Sequence, residues 1–127
     1  MLISGDALWE NGFGVVLPGW PSALAAARDT LDRIAGLDVA VVIPGHGQPF
    51  TGVSAALDRG YPRVDALNSD PVRMARLASK VMPMFTLLER GQLPLDGLSG
   101  YLDSIPVYRS TTGYTLGLPL RRWQKCW

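Results

Sequence analysis

The chain of 127 residues has a net charge of +1, with 47% apolar and 18% charged residues. That length and balance suit an ordinary globular domain and exclude a disordered chain, which is poor in apolar residues and rich in net charge. They also exclude a broad electrostatic field that would gather nucleic acid or anionic lipid, so neither nucleic acid nor a membrane is an expected partner.

Taken in chain order, residues 2–4 are a short apolar run stopped by Gly5-Asp6, which reads as the end of a strand. Residues 13–17 are rich in β-branched and aromatic side chains and bounded by Gly12 and Pro18-Gly19, which predicts a second strand. Across 21–35, Leu24, Ala27, Leu31 and Ile34 recur at helical spacing, with Pro21 suited to the first turn and Gly36 to the C-terminal cap. Residues 38–43 are the clearest strand, and their unbroken apolar run predicts burial on both faces. The run ends at Pro44-Gly45-His46-Gly47, which puts His46 on a loop just past a strand end. Strand, helix, strand is an α/β signature.

From residue 51 the pattern turns helical. Val53, Ala56, Leu57, Tyr61, Val64 and Leu67 make one apolar stripe, and Gly60 with Pro62 predicts a kink or break near Tyr61. Asp70-Pro71 reads as a cap followed by a good first residue. The helix that follows is predicted to bury Val72, Ala75, Val81, Phe85 and Leu88, with Leu77 at its margin. Pro83 marks a second kink, and Met74, Met82 and Met84 fill the core. Residues 95–102 suggest a short helix and 105–108 an extended piece, while the tail from 110 shows no sustained period. Asp29, Asp32, Asp58 and Asp65 are expected on solvated helix faces beside Arg28, Arg33, Arg59 and Arg63. The organisation expected is a sheet-bearing part over 1–50, a helical extension of the same domain over 51–90, and a weakly structured segment over 91–127.

A lone cysteine, Cys126, leaves no intrachain disulfide. The start of the chain has neither the basic n-region nor the apolar h-region of a signal peptide, and the longest apolar run, 39–44, is far short of the ~20 residues that span a bilayer. Cytoplasmic localisation is the expectation.

Asp6 and His46 stand out chemically. Each follows a strand end, where the loops of an α/β sheet gather their ligands. A carboxylate and an imidazole are both good donors to zinc, manganese or iron. Taken singly, a Gly-Asp is as easily a turn residue bonded to its own backbone, and a Gly-His-Gly a solvated loop. Trp9, Asn11 and Phe13 follow Asp6 and are candidates to line a substrate pocket, with simple packing as the alternative.

The longer strings carry more information. Ser4-Gly5-Asp6-Ala7-Leu8-Trp9-Glu10-Asn11-Gly12-Phe13-Gly14, then a helix, then Val41-Val42-Ile43-Pro44-Gly45-His46-Gly47, resembles the last two metal-ligand motifs of the metallo-β-lactamase superfamily of hydrolases. The resemblance covers about residues 2–90. It implies an α/β fold, here a partial αββα sandwich of one incomplete sheet with helices, followed by a helical C-terminal region. It also implies two metal ions, commonly zinc, with manganese or iron as alternatives. Asp6 would match the aspartate that bridges both ions, and His46 the last histidine, on the second. Metal-bound hydroxide would attack an ester, thioester or related bond of a small-molecule substrate.

The family's His-x-His-x-Asp-His signature is absent, and His46 is the only histidine. The chain is therefore read as the C-terminal half of such an enzyme, inactive alone. It is expected to hold metal weakly or not at all, since a catalytic zinc takes three protein ligands. The missing N-terminal half is a candidate partner, and a homo-oligomer formed through the helical hairpin is another. The competing reading is a non-catalytic interaction module, or a small α/β protein docking through its helices.

Overall fold

The computed structural model describes residues 1–17 and 22–110. The chain forms two compact units: residues 1–16 and 22–69 make the first, and residue 17 with 70–110 the second.

The first unit is α/β. Strand β1 (Leu2–Gly5) leads through helix α1 (Ala23–Ala35) to β2 (Val42–Pro44), and helix α2 (Val53–Ser69) follows. The strands are parallel neighbours, with Leu2 opposite Val42, Ile3 opposite Ile43 and Gly5 opposite Pro44, and an irregularity between Ile3 and Gly5. Parallel strands cannot be joined by a tight turn, so the chain between them must make a long crossover, and α1 supplies it. Leu31 and Ile34 of α1 are buried, as are Ala56, Leu57, Val64 and Leu67 of α2, which realises both apolar stripes read from the sequence. The two helices pack on each other, closely enough that a Cβ on Gly60 would lie 3.2 Å from Leu31 Cδ1. The glycine is there for close approach, and of the kink or break expected near Tyr61 the break does not occur: α2 runs through Pro62 as one helix.

Two strand expectations need correction. Residues 13–17 form no strand. The Gly14 N–H is spent on the Asp6 carbonyl at 2.7 Å rather than on a neighbouring strand, and Phe13 packs as a buried side chain. Of residues 38–43, only Val42 and Ile43 join β2, and the run is not buried on both faces: Val42 is fully buried while Ile43, on the opposite face, is only half-buried. An unbroken apolar run is covered twice only inside a layered sheet. Here the sheet of the described residues has two strands, and Ile3 of β1 is 74% exposed.

The second unit is helical: α3 (Pro71–Arg90), a 3₁₀ turn (Leu95–Gly97), α4 (Leu98–Ser104) and α5 (Pro106–Ser110). Asp70 caps α3 as expected, its carboxylate accepting from the Arg73 N–H at 2.9 Å with proline in the first turn. Gly91, at φ 74°, ends the helix in the left-handed region that suits glycine. Like α2, α3 passes through its proline, Pro83, as a single helix.

The buried face of α3 matches the expected one only in part, at Ala75. Ala75, Ala78, Ser79 and Thr86 are buried, whereas Phe85 is 58% and Leu88 77% exposed, and Val72 and Met84 are exposed as well. Small side chains let neighbouring backbone approach, and hydrophobicity alone does not reveal that. Ser79 and Thr86 satisfy their hydroxyls within the helix, donating to the carbonyls of Ala75 at 2.8 Å and Met82 at 3.2 Å. Of the extended piece expected over 105–108 only Ile105 is extended; the rest is helical, because Pro106 opens α5, where its missing N–H and fixed φ cost nothing. Pro21 and the tail from Thr111, with Cys126 and its basic, aromatic end, lie outside the described residues. Among the described residues no helix is long and apolar enough to cross a membrane.

Candidate metal centre

Parallel pairing brings the carboxyl ends of β1 and β2 side by side, and Asp6 and His46 are the side chains just beyond them. His46 Nε2 lies 3.7 Å from Asp6 Oδ1.

Each residue is held by a short, heavily tied loop. Asp6 begins a segment in which the Ala7 N–H reaches the Ser4 carbonyl at 2.9 Å and the Ser4 hydroxyl donates to the Leu8 carbonyl at 2.7 Å. Leu8 is fully buried and anchors the loop. Trp9 and Gly12 then exchange backbone hydrogen bonds of 2.6 and 3.1 Å around a tight turn, and Gly14 returns to Asp6. A Cβ on Gly14 would stand 2.7 Å from the Cβ of Asp6, so only glycine fits there.

The His46 loop is closed at its base by Val42 and Phe50, which exchange backbone hydrogen bonds of 2.8 and 3.0 Å. Gly47, at φ 96°, gives the loop its turn. The Gly5 carbonyl joins the two loops. It accepts the Gly45 N–H at 2.8 Å and the Trp9 indole N–H at 3.1 Å.

The three pocket candidates are separated by this arrangement. The ring of Trp9 meets that of His46 edge to face, with centroids 5.3 Å apart. Asn11 sits exposed in the Trp9–Gly12 turn, a position asparagine favours for its own backbone reasons. Phe13 is buried, with the Arg63 guanidinium 5.0 Å above its ring. Sequence reasoning missed Arg59, which grips the Glu10 carbonyl with Nε and a terminal nitrogen at 2.8 and 2.6 Å and so ties the Asp6 loop to α2. It also missed the Val42–Phe50 closure. The Arg59 contact has no local signature, because it joins residues far apart in the chain.

The donor pair suits a divalent ion. Two ligands at ~2.0–2.1 Å on a tetrahedral ion stand ~3.3–3.4 Å apart. The 3.7 Å separation is therefore a small side-chain adjustment from sharing one ion, and both side chains are largely exposed, at 71% and 65%. Among the described residues no third His, Cys, Asp or Glu completes a cluster.

One curated relative is similar to the chain: the probable metallo-hydrolase YqjP of Bacillus subtilis (strain 168), 26% identical over 132 residues. The aligned region covers 91% of this chain and 41% of that protein, so the chain spans well under half the relative's length. No family model matches the chain, and no solved structure matches it significantly.

Proposed function

We propose that this chain carries two metal ligands of a metal-dependent hydrolase of the metallo-β-lactamase superfamily, Asp6 and His46. The observation that carries the reading is the 3.7 Å approach of their donor atoms across the ends of adjacent parallel strands. The similarity to a probable metallo-hydrolase supports it. In this reading β1 and β2 belong to one sheet of an αββα sandwich, and the remaining ligands come from outside the described residues.

Zinc is the first choice of ion, since one oxygen and one nitrogen donor suit it, with manganese or iron as alternatives. When bound, such an ion supplies a nucleophile from water at neutral pH and polarises the oxygen of an ester, thioester or phosphoester. The chain's own residues hold and orient. The Gly5 carbonyl fixes the two loops to each other, and Gly14 and Gly45 leave room for the Asp6 side chain. The activity of the whole protein on a small-molecule substrate follows from this proposal.

Competition with a chromophoric chelator measures zinc uptake by the full chain, its His46→Ala variant and its Asp6→Asn variant. Weak uptake that both substitutions abolish is expected, because two donors are fewer than a catalytic site uses. Uptake indifferent to both substitutions would remove Asp6 and His46 from the site. Stoichiometric zinc surviving dialysis would show that further ligands exist within this chain.

A further inference from the structure

His46 is held in place by little of its own. It is largely exposed, and its imidazole meets Asp6 at 3.7 Å on one side and the Trp9 ring on another. An imidazole donates to a metal along one direction only, so its orientation matters as much as its position. Asp6 cannot fix that orientation, since it would share the ion and its own side chain is largely exposed.

Trp9 is better placed to do so. Its backbone is clamped by both hydrogen bonds to Gly12. Its indole N–H is fixed on the Gly5 carbonyl, the same oxygen that receives the N–H of Gly45, the residue before His46. Ring and histidine loop therefore share one anchor. The two planes cross at 81°, the edge-to-face geometry that aromatic rings favour.

We propose that Trp9 is a positioning residue for His46: a rigid indole wall, pinned to the Gly5 carbonyl, that sets the imidazole's orientation toward a divalent metal ion. The inference deepens the reading of Asp6 and His46 as metal donors and in part rests on it. Its geometric half, that Trp9 orients the ring, stands without metal.

His46 is the only histidine, so its Cε1–H and Cδ2–H resonances are unique in a proton spectrum of the full chain. They are compared in the wild type, Trp9→Phe and Trp9→Leu, each checked by thermal melt, first without metal and then during titration with zinc chloride. In the wild type the indole ring current should displace both resonances from the positions of an unstructured histidine. Trp9→Leu should return them there and weaken zinc binding about tenfold, the lower end of what loss of an outer partner costs a metal site. Trp9→Phe keeps a ring but loses the N–H to Gly5, and should fall between.

Resonances unchanged across the three proteins would overturn the proposal. So would displaced resonances with equal zinc affinity. If Trp9→Leu loses its cooperative melt, Trp9→Phe decides by the same two readouts. If the wild type takes up too little zinc to measure, as two donors alone allow, the metal-free resonances alone decide whether Trp9 orients the ring.

Discussion

A Cβ on Gly14 would lie 2.7 Å from the Cβ of Asp6, while the Gly14 N–H donates to the Asp6 carbonyl at 2.7 Å. Asp6 therefore owes its place to the absence of a side chain eight positions on. Gly14→Ala is expected to destabilise the first unit by about 1–3 kcal/mol, the range for overpacking a well-filled site, and to lower zinc uptake by moving Asp6. Gly100→Ala is the control. It sits in α4 with nothing within 4 Å of its would-be Cβ, so it should stabilise by roughly 0.5–1 kcal/mol through helix propensity. Urea denaturation of the two variants should give shifts of opposite sign.

The contact between Gly60 and Leu31 sets helix preference against packing. Alanine at 60 gains about 1 kcal/mol as a helix former, but its Cβ would meet Leu31 Cδ1 at 3.2 Å. Leu31 is only 1% exposed and has nowhere to retreat. A net loss of about 1 kcal/mol is expected for Gly60→Ala. Trimming the neighbour should relieve it, so Gly60→Ala should cost less in a Leu31→Val background, and a double-mutant cycle measures the difference. An additive cycle would mean that the helices do not meet at this point.

The capping of α3 is local and testable alone. Asp70 satisfies the Arg73 N–H, and Asp70→Ala should remove about 1 kcal/mol from the helix it starts, whereas Asp70→Asn should lose much less. Helical circular dichroism during thermal unfolding would show both. Equal losses in the two variants would mean that the side chain's charge, not its hydrogen bond, carries the effect.

Tyr61 links α2 to α1 by donating to Asp32 Oδ1 at 2.8 Å. That hydrogen bond to a carboxylate, then partial burial, then the nearby Asp32 charge, hold its hydroxyl above the ordinary 10.0. The folded state thus retains a proton that the unfolded state releases. The contribution is fully present below pH 10 and is lost as pH rises through the folded value. Tyr61→Phe should flatten the fall in stability above pH 10, and the ultraviolet difference titration between the two proteins should show a phenol ionising above 10. A midpoint at or below 10 would mean that the Tyr61–Asp32 bond does not form in solution.

The sequence by itself determined the elements whose cause is local. The stripes of α1 and α2, the Asp70-Pro71 start of α3 and the short helix near 95–102 follow from periodicity and capping, which nearest neighbours decide. Placing Asp6 and His46 just past strand ends was equally local, because Gly5 and Pro44-Gly45 break the chain at those points. Only the tertiary structure decided that the two strands lie side by side and parallel, and so that the two donors meet at 3.7 Å. It decided that Gly14 folds back on Asp6 and that residues 13–17 join no strand, because a strand needs a partner that its own sequence does not name. It chose the small-residue face of α3 over the bulkier one, since burial depends on how closely another element can approach. It placed Trp9 against His46, and there the physical reason is the Gly5 carbonyl, whose two acceptor sites unite loops that the sequence keeps far apart.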